Sequence, residues 1–354
     1  MKICIIGATG HYGYVLEGLE MERQRQEELN ISKKDEYTSN CQYAGIADIV
    51  GIAPGSQGED ITPLVKRLMQ SNPSICVYDD YCKMLDEIKP DIAVVCCYFA
   101  DQAKAAIEAI KRGIHVFMDK PVATTFEDLE LLKKFYYNSN VHLAAMFGIR
   151  YTPWFLNAKE YVDNGAIGKI RLMNAQKSYK LGRRGEHYKN RNIYGGTIPW
   201  VGTHAIDWLH WFSNEKFISV YAAHSNLYNS DHGDLEVSAI CSFVMTGEIF
   251  ATVSIDYLRP ATAQRHDDDR IRIVGTEGVI EVRDRKIYLT NKFTSGTEEI
   301  EVAEDYKENI FCDFLAQIRG EKKCMVSAED SFYVTEAALL ARTSADEKRE
   351  VRFL

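Results

Sequence analysis

The feature that most constrains the fold is a glycine-rich segment near the start of the chain. The apolar run KICII leads into GATGHYG, residues 7–13, and a helical pattern follows to about Glu28. A strand, a glycine turn and a helix in this order present the helix N-terminus to a pyrophosphate. Gly7 permits the tight turn, while Gly10 and Gly13 allow backbone and helix to approach the phosphates. The segment therefore predicts a dinucleotide-binding site.

The predicted nucleotide-binding residues come from this loop and from the end of the second strand. They are Gly7, Thr9, Gly10, His11, Tyr12, Gly13, Pro54 and Ser56. Pro54 stands where an acidic residue usually binds the adenosine ribose, and no arginine is placed to receive a 2′-phosphate. Ser56 and Gln57 can hydrogen-bond either form of the ribose. The cofactor is thus predicted as NAD(P), with NAD slightly favoured.

The rest of the first half alternates strand and helix patterns. Apolar strand patterns occur at 43–53, 91–99, 115–119 and 141–150, and helical segments separate them. Continuous apolar strands alternating with helices indicate a parallel sheet that is covered on both faces. The polar stretch 20–43 predicts an enlarged surface excursion.

After Arg150 the pattern changes to long strands joined by tight turns. Strand character dominates 236–258 and 270–290, where Thr246-Gly247 and Glu277-Gly278 indicate turns. We therefore predict an α/β protein of two domains. Residues 1–150 form a Rossmann dinucleotide-binding domain, and residues 151–354 form an α/β substrate domain with a large, mainly antiparallel open sheet.

Charge and cysteine content exclude several classes of function. The net charge of −9 argues against a nucleic-acid partner, because phosphate contacts need clustered lysine and arginine. No apolar run reaches the roughly 20 residues that span a bilayer, so no membrane partner is predicted. The nine cysteines form no C-x-x-C pair, and Cys96 and Cys97 lie in an apolar strand pattern. A cytoplasmic location and no metal site are predicted.

The segment GGTIPWVGTHAIDWLHW, residues 195–211, combines two histidines and an aspartate with three tryptophans. His204 titrates near neutrality and therefore suits general acid–base catalysis. Asp207 is three residues further on and shares a helical face with it, so its carboxylate can orient the imidazole. Trp208 and Trp211 recur at core-facing spacing, and the segment is alternatively an aromatic core.

A second motif carries a family resemblance. HVFMDKPVATT, residues 115–125, is a strand that ends in acid–Lys–Pro and leads into a helix. It resembles the glucose–fructose oxidoreductase / inositol dehydrogenase / MocA (Gfo/Idh/MocA) family. Similar features run through almost the whole chain, including YDDYCKMLDEIKPDIAVV, AIKRGIHV, IRYTPWF, NGAIGKI and the Gly–His–x–x–Asp segment.

The resemblance implies NAD(P)-dependent oxidation or reduction of a sugar, cyclitol or sugar derivative. It implies that the open sheet of the second domain builds a homodimer or homotetramer. The family's catalytic lysine corresponds to Lys120, which would also lie beside the cofactor, and its histidine corresponds to His204. This chain departs from the family at Trp200, where relatives often have aspartate, at Thr197 and at Cys97-Tyr98.

Candidate substrate-binding residues are basic, aromatic or hydroxyl side chains. They are Arg150, Tyr179, Arg183, His187, Tyr188, Trp200, Thr203 and His266. The aromatic face of Trp200 suits the apolar face of a sugar ring. Two other functions stay open. One is a redox glycosidase or lyase with tightly bound NAD, and the other is a catalytically impaired nucleotide-binding sensor.

Overall fold

The structure, a computed structural model, describes residues 1–33, 47–302 and 308–353. It divides into two compact units. The first contains Met1–Ala123, Glu127–Gly148 and Asn309–Ala328; the second contains Thr124–Phe126, Ile149–Glu308 and Glu329–Leu354. The chain leaves the first unit at Gly148, close to the domain boundary predicted at 150. Residues 309–328 lie in the first unit, whereas we predicted the whole chain after 150 to form the second domain.

The first unit is built on a six-stranded parallel sheet with the order β3-β2-β1-β4-β5-β6. Its strands are β1 (Lys2–Ile6), β2 (Asp48–Ala53), β3 (Cys76–Val77), β4 (Ile92–Val95), β5 (His115–Met118) and β6 (Leu143–Ala145). Its helices are α1 (Gly13–Lys33), α2 (Thr62–Ser71), α3 (Tyr81–Ile88), α4 (Phe99–Lys111) and α5 (Phe126–Tyr137). All four residues of β4 are fully buried, which agrees with a sheet covered on both faces.

The helix Ile310–Ile318 explains why 309–328 joins the first unit. Its residues Phe311 and Phe314 pack against Phe117 of β5, with ring centroids 5.2 and 5.3 Å apart. Asn309 caps this helix, since its side chain accepts hydrogen bonds from the amides of Phe311 and Cys312. Residues 34–43 of the predicted excursion and 43–46 of the predicted second strand lie outside the described residues.

The second unit is built on a nine-stranded sheet with the order β14-β13-β12-β11-β7-β10-β9-β8-β15. Its strands are β7 (Ile170–Tyr179), β8 (Phe217–Ser225), β9 (Ser238–Met245), β10 (Ile249–Asp256), β11 (Asp267–Gly275), β12 (Gly278–Arg283), β13 (Lys286–Asn291), β14 (Glu298–Ile300) and β15 (Val351–Arg352). Only the pairing of β10 with β7 is parallel among these described strands. The predicted fold class is thereby confirmed.

Helices of the second unit pack against this sheet. α6 (Pro153–Asp163) contacts β12 and β13, α8 (Thr203–Ser213) contacts β7 and β10, and α10 (Ala328–Glu347) hydrogen-bonds to β8. The short helix Arg191–Tyr194 is α7, and the helix Ile310–Ile318 of the first unit is α9. Along β7, Met173, Ala175 and Lys177 alternate with more exposed residues and are buried on the face that α8 contacts. Among the described residues, no helix has both the length and the apolar content that a bilayer crossing requires.

Candidate active site

The glycine loop of the first unit is fixed between the ends of β2 and β4. The amide of Gly7 donates to Ala53 O at 2.8 Å, and the amides of Thr9 and Gly10 donate to Cys96 O at 2.7 and 3.2 Å. Gly7 has φ +86°, and a Cβ there would lie 2.5 Å from the Cα of Cys97. Only glycine fits this turn without strain, as predicted.

Gly13 at the start of α1 faces open space. A Cβ built there would meet no atom within 4 Å. The first turn of a helix carries amide donors and the positive end of the helix dipole, both of which bind phosphate. The loop therefore has the room and the polarity that a dinucleotide pyrophosphate needs.

Gly10 is required for a reason that we did not predict. A Cβ on Gly10 would lie 2.9 Å from Cγ of Asp119 and closer still to its Oδ2. Asp119 is fully buried, and its carboxylate accepts from the amide of His11 at 3.1 Å, from His11 Nδ1 at 2.8 Å and from the amide of Lys120 at 2.8 Å. The neighbour that excludes a side chain at Gly10 is thus Asp119, whereas the sequence argument assigned this role to the pyrophosphate.

Asp119 is held as a carboxylate. Burial acts to raise its pKa, but the His11 imidazole and the Lys120 ammonium outweigh burial and hold that pKa below its ordinary value. Lys120 itself follows β5 at the carboxyl edge of the parallel sheet, is only 2% exposed and joins Pro121 through a cis peptide bond. Asp119 therefore connects Lys120 to the glycine loop.

The loop after β2 contains a carboxylate that the sequence analysis missed. Glu59 lies five residues after Pro54, and its side chain accepts hydrogen bonds from the glycine loop and from the amides of Gly55 and Ser56. The Ser56 hydroxyl accepts from the amide of Tyr98 at 3.1 Å. The sequence GSQGED, residues 55–60, could have indicated this role, because it places an acidic residue only a few positions after the end of β2.

In the second unit, His204 lies in the first turn of α8 and is 3% exposed. A π-helical turn, Ile198–Gly202, leads into this helix and is buried throughout. Thr203 is fully buried, and its hydroxyl donates to the carbonyl of Pro199. This contact directs Thr203 into the backbone of the preceding turn, so its predicted substrate-binding role is not supported.

Asp207 pairs with Arg150, which corrects two predictions. Arg150 Nε lies 2.9 Å from Oδ2 and 3.2 Å from Oδ1 of Asp207, and Nη2 also donates to Oδ1. The remaining nitrogen, Nη1, donates to Asp330 at 3.0 Å. Both side chains of the Arg150–Asp207 pair are 1% exposed. Asp207 therefore braces α8 instead of orienting His204, and the Arg150 guanidinium is occupied by carboxylates instead of substrate.

Five of the predicted substrate-binding residues belong to one aromatic cluster. The aromatic cluster consists of Tyr179, His187, Tyr188, Trp200, Tyr257 and His266. Its successive ring centroids are 5.3 Å apart for His266–Tyr179, 6.2 Å for Tyr179–Tyr257, 5.6 Å for Tyr257–Trp200, 4.2 Å for Trp200–Tyr188 and 4.1 Å for Tyr188–His187. Burial lowers the pKa of both His187 and His266.

Trp200 occupies the interior of the aromatic cluster. It is 6% exposed and stacks on Tyr188 and Tyr257 at interplanar angles of 28° and 27°. Its rings are therefore covered by protein, so the predicted stacking of a sugar on Trp200 is not supported. The guanidinium above the cluster belongs to Arg184, 5.4 Å from the Trp200 ring, whereas the predicted Arg183 is exposed.

Lys177 was not predicted. It is fully buried, its Nζ lies 2.6 Å from Asp269 Oδ1, and the same Nζ is 4.8 Å from the Tyr179 ring and 5.2 Å from the Trp208 ring. Burial acts to lower the pKa of Lys177, but the Asp269 carboxylate outweighs it and raises that pKa. The sequence did contain a sign of this residue, because Lys177 stands at a position of β7 where the alternation of buried and exposed side chains places an apolar residue.

Two family models and a solved structure match this chain over most of its length. A model described as "Oxidoreductase family, NAD-binding Rossmann fold" matches residues 1–147, and one described as "GFO/IDH/MocA C-terminal domain" matches residues 155–281. A Thermotoga maritima structure assigned provisionally as an oxidoreductase is 48% identical, with a TM-score of 0.88, and the match covers 100% of both chains. The chain belongs to the Gfo/Idh/MocA family. It is an NAD(P)-dependent oxidoreductase, and the resemblance carried by the Lys-Pro motif is confirmed.

More distant relatives and solved structures carry names of defined activities. The inositol 2-dehydrogenase/D-chiro-inositol 3-dehydrogenase of Lactiplantibacillus plantarum is 24% identical over 336 residues, which cover 89% of this chain and 87% of that protein. A levoglucosan dehydrogenase solved with NADH and L-sorbose is 17% identical, with a TM-score of 0.79, over 99% of this chain and 98% of that chain. The second likeness concerns the fold alone.

Proposed function

We propose that this member of the Gfo/Idh/MocA family transfers hydride between a nicotinamide cofactor and the CH–OH or carbonyl group of a sugar, cyclitol or sugar derivative. The observation that carries the proposal is the contact of Asp119 with both Lys120 and the glycine loop. It ties a buried lysine to the nucleotide-binding edge of the parallel sheet, where open α/β sheets bind their ligands. The name of the inositol dehydrogenase, a relative along 89% of this chain, supports the substrate class.

The bound nicotinamide supplies the hydride acceptor or donor. In our proposal the Lys120 ammonium donates a hydrogen bond to the substrate oxygen, where negative charge grows as the hydroxyl proton leaves. His204 takes that proton during oxidation and returns it during reduction. Trp200 replaces the carboxylate that relatives often have, and Asp207 is committed to Arg150. The imidazole of His204 therefore works without either aspartate as its partner.

Two variants test these roles. Lys120→Met and His204→Asn should each lower kcat about 10²- to 10⁴-fold, while the Kd for NADH changes less than about threefold. His204→Asn should also flatten the pH–rate profile near neutrality. Lys104→Met, at a lysine whose side chain is 65% exposed in the first unit, is the matched control and should keep wild-type kcat.

The double variant tests whether both groups serve one step. If Lys120 and His204 act on the same substrate oxygen, the combined loss in kcat/KM should be smaller than the product of the single losses. Near wild-type kcat in Lys120→Met would overturn the proposed chemistry. A fully multiplicative double loss would assign the two residues to separate steps.

We also propose that the less buried end of the aromatic cluster, Tyr179 and His266, contacts the sugar. The Tyr257 hydroxyl beside it is buried and makes no hydrogen bond within the residues that the structure describes, so it is free to bind a substrate hydroxyl. Tyr257→Phe should raise KM several-fold with little change in kcat. An unchanged KM in steady-state kinetics would remove the cluster from the substrate site.

We infer, finally, that the outer face of the second unit's sheet joins copies of this chain in a cytoplasmic homodimer or homotetramer. Tyr221, Ile240 and Phe250 lie on that face and are 52%, 54% and 54% exposed. Large apolar side chains gathered on one sheet face are typical of protein–protein contacts. Buried thiols at Cys96 and Cys97 support a reducing compartment.

A further inference from the structure

Glu59 collects donors from two different loops of the first unit. Its Oε1 accepts from the amide of Ala8 at 2.8 Å and from Thr9 Oγ1 at 2.7 Å. Its Oε2 accepts from the amides of Gly55 at 3.0 Å and Ser56 at 3.3 Å. A carboxylate offers about four acceptor positions, so these four donors use its capacity.

The position of this carboxylate matters for the adenosine ribose. Gly55 and Ser56 follow β2 directly, and in a Rossmann fold the ribose lies at the end of the second strand. Converging amide and hydroxyl donors of this kind form an anion-binding concavity. Without Glu59, these four donors would be available to the 2′-phosphate of NADP. With Glu59 present, they already donate to a negatively charged carboxylate.

Among residues 1–33, 47–302 and 308–353, the structure records no ion pair between Glu59 and a lysine, arginine or histidine. The partners of its carboxylate are instead the neutral donors of Ala8, Thr9, Gly55 and Ser56. A 2′-phosphate carries about two negative charges near neutral pH and would approach both an uncompensated carboxylate and donors that are already used. A ribose 2′-hydroxyl is neutral and avoids this repulsion.

We propose that Glu59 acts as a built-in phosphate mimic that excludes NADP(H) and so makes the enzyme selective for NAD(H). Glu59 takes over the role of the acid that is absent at Pro54. Its charge repels a 2′-phosphate, and its carboxylate already accepts the hydrogen bonds that a phosphate would need. The inference rests on the nucleotide site in the first unit and goes beyond it, since the family alone does not determine which dinucleotide binds.

The test is isothermal titration calorimetry of the full-length protein with NADH and NADPH. Glu59→Gln keeps the length of the side chain and removes its charge. It should tighten NADPH binding about tenfold or more, while NADH binding changes less than about threefold. Asp60→Asn is the matched control. It removes the neighbouring exposed charge, whose Oδ1 accepts from the amide of Thr62 at 2.9 Å, and should leave both Kd values unchanged.

A second variant protects the test from a folding defect at Glu59. Gln57 is exposed and lies beside Ser56 in the chain, so Gln57→Arg adds a cation at this loop while Glu59 stays in place. It should also tighten NADPH binding selectively. The proposal is overturned if neither variant changes the NADH/NADPH ratio, or if Glu59→Gln weakens both nucleotides equally. A wild-type protein that binds neither nucleotide would contradict the nucleotide site itself.

Discussion

Replacement of Asp207 by asparagine separates a structural role for this residue from a catalytic one. The substitution keeps the shape of the side chain and removes the charge that Arg150 contacts through Nε and Nη2. Because Arg150 is 1% exposed, water cannot replace the lost carboxylate. Breaking a buried ion pair by removing one partner costs about 3–5 kcal/mol. Asp330 still contacts Nη1 at 3.0 Å, so we expect the lower end, about 3 kcal/mol.

Urea unfolding followed by tryptophan fluorescence measures this loss. All four tryptophans of the chain, Trp154, Trp200, Trp208 and Trp211, lie in the second unit, so the signal reports on the unit that contains the ion pair. Asp163→Asn is the matched control in that unit. Its carboxylate is 51% exposed and pairs with Lys159 within one helix, and such pairs contribute less than about 0.5 kcal/mol.

The pH–rate profile supplies the second half of this prediction. If Asp207 braces α8, the profile of Asp207→Asn should keep its midpoint near neutrality, although the protein is less stable. Our reasoning is refuted if Asp207→Asn unfolds within about 0.5 kcal/mol of the wild type. A displaced midpoint together with unchanged stability would restore the pairing of Asp207 with His204.

Three further outcomes follow. Gly10→Ala should lower the Tm of the nucleotide-free protein, because the added Cβ overlaps Asp119, whereas Gly13→Ala should leave that Tm unchanged. Equal Tm values for the two variants would mean that Asp119 does not exclude a side chain at Gly10 and that the pyrophosphate remains the explanation. Burial acts to raise the pKa of Asp330, but His210 and Arg150 lower it to about 2, so its stabilisation of about 2 kcal/mol is present above pH ~4 and is lost as the pH falls towards 2. Asp330→Asn should flatten the pH dependence of urea unfolding over that range, and an unchanged slope would contradict the assignment. Phe250→Glu should shift the protein to monomers in size-exclusion chromatography, and unaltered elution would exclude the outer sheet face as the subunit contact.

The fold could be predicted because its signals are local. Continuous apolar strands separated by helices indicated the parallel sheet, and turns at Gly247 and Gly278 indicated the antiparallel one. The placement of 309–328 could not be predicted in the same way. Phe311 and Phe314 are apolar residues of an amphipathic helix, and nothing in their spacing says which sheet they cover. Contact with Phe117, far away in sequence, decides it.

The candidate site was predictable to the same limited extent. The position of Lys120 follows from a motif at a strand end, which is local information. The partner of Asp207 lies 57 residues earlier, and helical spacing shows only that Asp207 and His204 share a face. Glu59 was missed for a related reason, since its carboxylate returns from a loop to donors of another loop 51 residues away. Aromatic content suggested a sugar platform at Trp200, but neighbouring tyrosines cover that ring.

The central proposal is that this enzyme transfers hydride between a nicotinamide cofactor and a sugar, cyclitol or sugar derivative and requires Lys120 to do so. The most direct measurement is the near-ultraviolet absorbance of reduced nicotinamide when the protein is mixed with NAD⁺ and a panel of cyclitols and sugars. We expect the absorbance to rise with at least one polyol for the wild type and for Lys104→Met. Lys120→Met should produce no rise although it still binds NADH. Consumption of a sugar without any accumulation of reduced nicotinamide, or full activity in Lys120→Met, would contradict the claim.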